Sequence, residues 1–433
     1  MNRITALLLA LLSSTAFATD LRIYPQFTEV QVPIPARELT FPFAQWRWIQ
    51  PASFAVIGAA PVAFVLQPAE LDWLRTQEGE RVTWTSPGQA PVPAILERAE
   101  DLLLKLASGE YVHAQRSELA FRTLPPLQGS VTLRLNGTSA ANNASLVYRT
   151  QALVWRPRYE LNLNGAAASL AALAQISNFS DQVFGAQKVD LFGGSVLQQN
   201  QAYPLPVTPG VANEQQMAAR TGTTTAAVSV SDTAGAGQIN VVGEVRGLQR
   251  YALPGGLTIG RGESRTLPFL KPQVGGFTRY AGVQSYFEPQ NRSGQTSRRY
   301  KFTSSLSLPT GLVDVRENGL LVGSVQLPAV QAGTLVDLDL GVDPELRYAK
   351  TVKRTGQQKD VQGRVTSNTY QVTYAFMSTK ASATRVSVRE QVYGRSVWVN
   401  GQAPQNGQVS FSRQVDVPAR GKASLTFTLK IMN

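Results

Sequence analysis

The feature that most restricts this chain is a two-residue alternation of apolar and polar side chains, broken at intervals by proline and glycine. It is plainest in SLVYRTQALVWRPRYELNLNG (145–165). Successive strand residues point to opposite faces, so such a stretch buries one face and wets the other. Leu153, Trp155, Tyr159 and Leu161 share one parity, and Arg156 and Arg158 take the other. Trp155 and Tyr159 are therefore expected in a core, with the arginines in solvent; a ligand-stacking role is the alternative for Trp155. Pro157 has no N–H to give a ladder, so it marks an edge position or a bulge.

The same period returns in SVTLRLNG (130–137), AALAQISNFS (171–180), QKVDLFGGSV (187–196), TYQVTYAFM (369–377), TRVSVREQVYG (384–394) and SLTFTLKI (424–431). Glu317-Asn318-Gly319 sits between VDVR and LLVGSV, and Asn-Gly suits the left-handed angles of a tight hairpin turn. Leu253-Pro254, Leu308-Pro309, Leu327-Pro328 and Val417-Pro418 each precede a glycine within five residues and then a new run. Their irregular spacing reads as sandwich turns and not as solenoid repeats. Earlier, LRIYPQFTEVQVPIP (21–35) reads as an opening strand or hairpin, and Glu70–Arg75 as one helical turn. Residues 94–123 fit helical spacing at Leu96, Ala99, Leu103 and Leu106, but Ser108-Gly109-Glu110 reads as a hairpin turn, which favours strands. The expectation is an all-β protein of β-sandwich domains with a small N-terminal β-barrel-like module at 19–128. Residues 129–433 form the sandwich region, and the Gln-, Thr-, Ala- and Gly-rich 198–238 a mobile insertion.

The N-terminus, MNRITALLLALLSSTAFATD, has a basic start, a short apolar run and Ala16-Phe17-Ala18. It reads as a secretory signal peptide, 1–18, and places the protein in the periplasm or at the cell surface. The chain has no cysteine, so an exported form has neither disulfides nor a thiol to acylate. Phe54–Leu66 is the longest later apolar run; it is short and broken by Pro61, so buried strands are expected and no transmembrane segment. Charge is uneven: 19–120 holds 8 basic and 12 acidic residues, whereas 245–301 and 347–395 each hold 10 basic and 2 acidic. A basic C-terminal half suggests an envelope protein or an anionic envelope polymer as partner. Export and the lack of a recognisable motif argue against nucleic acid.

Chemistry is narrowed by what is missing. His113 is the single histidine and there is no cysteine, so zinc sites of several His or Cys find no residues, and Ser-His-Asp or Cys-His systems are excluded unless His113 is the sole base. No serine lies three residues before a lysine, and GGLTIGRGES lacks the ending of a phosphate-binding loop. His113 is expected on an exposed strand face. Asp337, Asp339, Asp343 and Glu345 in DLDLGVDPE could serve calcium, but alternation with Val336, Leu338, Leu340 and Val342 places Asp337 and Asp339 on one solvated face. No metal, cofactor or catalytic residue is therefore assigned. The candidate ligand-binding residues are Phe277, Arg279, Tyr280, Tyr286 and Phe287, aromatics among arginines that suit sugar stacking or a partner strand, with hairpin core packing as the alternative. Asn136, Asn143, Asn178 and Asn291 fall in N-x-[ST] triplets, close to chance in a Ser/Thr-rich chain.

SLVYRTQALVWRPRYELNL, ISNFSDQVFGAQKVDLFGGSV, YALPGGLTI, SLSLPTGLVDVRENGLLVGS and DLDLGVDPELRYAK, in that order, resemble the bacterial mucoidy-inhibitor-A-like family, the "domain of unknown function 4139". The resemblance runs from about Gly129 to the C-terminus, apart from the insertion. It implies a β-rich fold and an envelope setting, and brings no catalytic residues. The chain lacks the coiled-coil segment of longer members. The expected function is an exported cell-envelope protein with a binding or structural role and no catalysis. A carboxylate-based hydrolase of envelope glycans is the alternative. An outer-membrane barrel is a third, disfavoured by short, Pro-broken strands and the non-aromatic last residue Asn433.

Overall fold

The computed structural model describes residues 18–34, 38–58, 63–136, 144–165, 167–194, 196 and 239–432. The signal peptide up to residue 17 and the insertion 198–238 lie outside the described residues. Strands make up 65% and helices 5% of the structure, so the all-β expectation holds. The chain packs as two units, one of residues up to Arg156 with Ala174–Phe269, the other of Pro157–Leu173 with Leu270–Asn433. The first unit extends past residue 128 because Val131–Asn136 pairs with both Glu38–Phe41 and Ala63–Pro68.

The first unit holds three sheets. In the largest, Ala18–Ile23 lies between Thr28–Pro33, antiparallel, and Phe184–Gly193, parallel. Trp155 and Tyr251 are buried in this unit as the alternation predicts for Trp155. The Trp155 ring meets Phe269 edge-on at 5.3 Å, Tyr251 meets Phe269 at 4.7 Å, and the indole N–H donates to the Phe192 carbonyl at 3.0 Å. Burial thus keeps its one polar group satisfied. Residues 81–120 form a five-stranded antiparallel sheet in the order Leu119–Ala120, Arg81–Trp84, Val92–Arg98, Leu103–Leu106 and Tyr111–His113. Strands therefore hold over 92–106, with Gly109 turning the chain at φ 91°. The helix Ala69–Thr76 adds Leu74 to the core of Leu96, Leu104 and Leu119.

Two expectations shift. The 54–66 run does form strands, Ala55–Ile57 and Ala63–Pro68, but they are not buried: Ile57 and Val65 are exposed, because both strands end their sheets. The closed barrel lies at the C-terminal end. In the second unit, pairing runs Val274–Tyr286, Arg292–Ser304, Leu335–Lys359, Val365–Ser378, Lys422–Met432, Thr384–Val399, and returns in parallel from Thr384–Val399 to Val274–Tyr286. Gln405–Val417 flanks the barrel on Thr384–Val399. Leu346, Val372, Phe376, Val388 and Phe427 fill the interior.

The second unit also pairs Arg158–Leu163 in parallel with Leu312–Glu317, and Gly311–Glu317 turns back on Leu320–Leu327. Asn318 and Gly319 sit at φ 48° and 83°, the tight turn that Asn-Gly predicts. Tyr159 is buried and its hydroxyl donates to the Pro309 carbonyl at 2.7 Å. A Cβ on Gly311 would lie 2.4 Å from the Pro157 carbonyl oxygen, so only glycine lets the two backbones approach. Pro157 immediately precedes the parallel ladder, where its missing N–H costs nothing.

Candidate functional site

The barrel interior holds one polar cluster. Alternation sends Ala281, Val283, Ser285 and Phe287 inward, and likewise Val386, Val388, Glu390 and Val392. Glu390 is 0% and Lys350 4% exposed, and their Oε1 and Nζ are 2.8 Å apart. The Ser285 hydroxyl donates to Glu390 Oε1 at 3.1 Å, and the Tyr374 hydroxyl donates to the same oxygen. Lys350 Nζ also lies 3.4 Å from Ser285 Oγ and 5.3 Å from the Phe287 ring centre. Burial and the Glu390 carboxylate push the Tyr374 phenol far above its usual range. A serine nucleophile needs a base free to take its proton. Here Nζ is held by the carboxylate and both charged groups are buried, so their arrangement is that of a strut across the barrel.

The outer face of the same strands is different. A shallow open groove of about 50 Å³ is lined by Tyr280, Gly282 and Gln284 of one strand, Arg299 and Lys301 of the next, and Asp337 beyond them. On the other side it reaches Ser387, Arg389 and Ser412. The Arg299 stem lies directly over Gly282, where a Cβ would come within 2.4 Å of Arg299 Cδ. Arg299 is neutralised, binding Asp337 at 3.2 Å and Asp339 at 3.1 Å. Tyr280 donates to Asp337, at 2.6 Å to the nearer oxygen, and burial followed by that carboxylate raises its phenol well above the ordinary value. Lys301 and Arg389 have no carboxylate partner among the described residues; Lys301 Nζ rests 4.3 Å above the Tyr280 ring. Beyond Gln284 on the same strand face, Tyr286 stacks with Tyr393 at 6.4 Å and 19°, both about 60% exposed (61% and 59%).

The five predicted residues therefore divide. Tyr280 and Tyr286 face outward on the groove side. Phe287 packs inward against Tyr370 at 5.3 Å beside the barrel core, whereas half-buried Phe277 packs edge-on against Tyr300 at 5.6 Å, apart from that core. Arg279 stacks over Phe277 and is tied to Glu317 at 2.9 Å and to the Gly165 carbonyl at 3.0 Å. Lys301, Arg389 and Tyr393 were not among the candidates, although Arg385, Arg389 and Tyr393 share the outward parity of TRVSVREQVYG.

Asp337 and Asp339 do share one solvent-facing side, and both are taken up by Arg299. Beyond them the predicted alternation fails: Val342 is exposed and Asp343 is buried, bound to Lys380 at 2.6 Å. Gly341, at φ 85°, reverses the parity between the two. Among the described residues no group of His, Asp and Glu is placed to hold a metal ion. His113 is exposed on its strand, 3.0 Å from Asp101. Asn178 is buried and works as a staple: its amide donates to the carbonyls of Gln182 and Gly260, and its oxygen accepts from Ser180. Among the described residues no helix is long and apolar enough to cross a membrane. No family model and no curated protein matches the sequence.

Proposed function

We propose that this protein is an exported component of the bacterial cell envelope, related to the mucoidy-inhibitor-A-like family, that binds anionic envelope components and performs no catalysis. The observation that carries this reading is the groove on the outer barrel face, where Lys301 and Arg389 have no carboxylate partner among the described residues and the exposed Tyr286–Tyr393 pair lies beyond. The surrounding charge supports it: residues 274–433 hold 20 Lys and Arg against 10 Asp and Glu, a balance of +10 within a chain total of +12. An uncompensated surface of one sign attracts polyanions at long range. The barrel is apolar inside and carries Asp337, Arg389, Thr426 and Thr428 outside, the reverse of a membrane barrel, which shows lipid an apolar band.

Co-sedimentation of the mature protein with native envelope fragments at about 0.05 M and 0.5 M salt tests the proposal. Retention at low salt and release at high salt is expected, because screening shortens from well beyond 10 Å to a few ångströms. Retention indifferent to salt, or none at either, counts against it.

A further inference from the structure

Resting on that binding role, we infer that the outer barrel face binds a carboxylate-bearing polysaccharide laid across the strands Val274–Tyr286 and Thr384–Val399. Three features select this ligand class. Arg389 offers a guanidinium with no protein partner among the described residues, and the register sets Gln284 beside it on one side and Ser412 on the other. A planar fork flanked by an amide and a hydroxyl suits a carboxylate with adjoining hydroxyl groups. The Tyr286–Tyr393 pair gives an exposed aromatic platform with polar tips, a surface that receives the apolar face of a sugar ring while its hydroxyls are hydrogen-bonded at the edge. Gln391 lies in register with Tyr286 and Gln408 with Tyr393, and supplies such edge groups.

Spacing makes the ligand a polymer. Arg389 and Tyr393 are four residues apart on one strand face, about 13 Å, and Lys301 lies two strands away from Arg389. Tyr286, opposite Gln391, is nearer to Arg389, but an occupant that spans Lys301, Arg389 and Tyr393 is longer than a single headgroup or monosaccharide. The face is a sheet surface on which Gln284, Arg389, Tyr286 and Tyr393 are exposed, so an extended chain can lie on it. Polyphosphate meets the cations but gives the tyrosines nothing to stack, and a lipid surface would need protruding apolar side chains beyond this pair.

The test is affinity electrophoresis and titration calorimetry of the full mature chain with sodium polygalacturonate. Dextran, long-chain polyphosphate and 1:1 phosphatidylglycerol/phosphatidylcholine vesicles are the comparisons. Polygalacturonate is expected to bind, and dextran not. Arg389→Ala and the double variant Tyr286→Ala/Tyr393→Ala are each expected to weaken binding roughly tenfold. The Arg389→Ala variant is also expected to show a shallower salt dependence and the tyrosine variant an unchanged one. All three side chains are exposed, and unchanged melting curves verify folding. Equal affinity of Arg389→Ala and wild type, or preference for polyphosphate or vesicles, overturns the inference. If the wild type sediments with envelope fragments but ignores polygalacturonate, this inference fails and the binding role stands; if it does neither, both fail.

Discussion

The core around Trp155 and the core around Glu390 solve the same problem with opposite chemistry. The chain has no cysteine, so each core must hold by packing and hydrogen bonds alone. Around Trp155 the neighbours are rings, Tyr251 and Phe269, and the one polar atom finds a backbone carbonyl. Around Glu390 two opposite charges are sealed inside a barrel whose other residues are mostly Val, Leu and Phe. Aromatic burial is worth having wherever it occurs. A buried ion pair is not: its desolvation offsets much of the attraction, so it contributes geometry more than stability. The Glu390 strand is the one that closes the barrel on Val274–Tyr286, and Lys350 reaches it from Leu335–Lys359. The pair therefore specifies which strands meet across the interior.

The largest expected effect breaks that pair. Lys350→Met leaves Glu390 buried without its cation and is expected to cost about 3–5 kcal/mol, read by urea or thermal unfolding. The double variant Lys350→Met/Glu390→Leu should recover most of the loss. If the single variant melts like wild type, the two cores do not differ in kind. Next in size, Trp155→Phe keeps the ring packing but orphans the Phe192 carbonyl; about 1–3 kcal/mol is expected. A negligible change would show that ring packing alone matters there.

The smallest effect is an acid one at the edge of the barrel. Burial alone would raise the Glu317 carboxyl, but the hydrogen bonds from Tyr300 and Arg279 outweigh it and hold the group below its usual 4.5. The same contact, with burial first, pushes the Tyr300 phenol up to about 12. A carboxyl lowered on folding adds stability above its unfolded value, and that contribution is lost as pH falls through the lower folded value. Glu317→Gln should therefore lower the melting temperature at pH 7, and its gap to wild type should close towards pH 3. A gap constant with pH would assign the effect to shape instead of charge.

Much of the fold was legible because one face of each strand is buried, and burial writes itself as parity. Trp155, Tyr159, Asp337 and the Asn318-Gly319 turn all fall where alternation places them. The barrel strut was legible in principle, since Glu390 interrupts a run of core valines at 386, 388 and 392, and Lys350 follows Leu346 and Tyr348 on the same parity. Parity cannot say which strands become neighbours. Barrel closure joins 281–286 to 386–391, about a hundred residues away, and no local pattern encodes that pairing. The same gap hid the groove: Tyr280 and Tyr286 were found through their own segment, whereas Arg389 and Tyr393 join them only through the closing ladder. Phe277 and Phe287 misled because an aromatic beside an arginine looks alike whether it faces solvent or the interior.

The parallel seam has a consequence for how the molecule comes into being. Lys422–Met432 is wedged between Val365–Ser378 and Thr384–Val399, so the ring cannot shut until that strand is in place. Until then Val365–Ser378 and the 396–399 end of Thr384–Val399 keep open hydrogen-bonding edges, the condition in which sheets join the wrong partners. Late completion makes the final strand the latch of the whole barrel. Without Lys422–Met432 the same strands make an open-edged sheet, not a slightly smaller barrel.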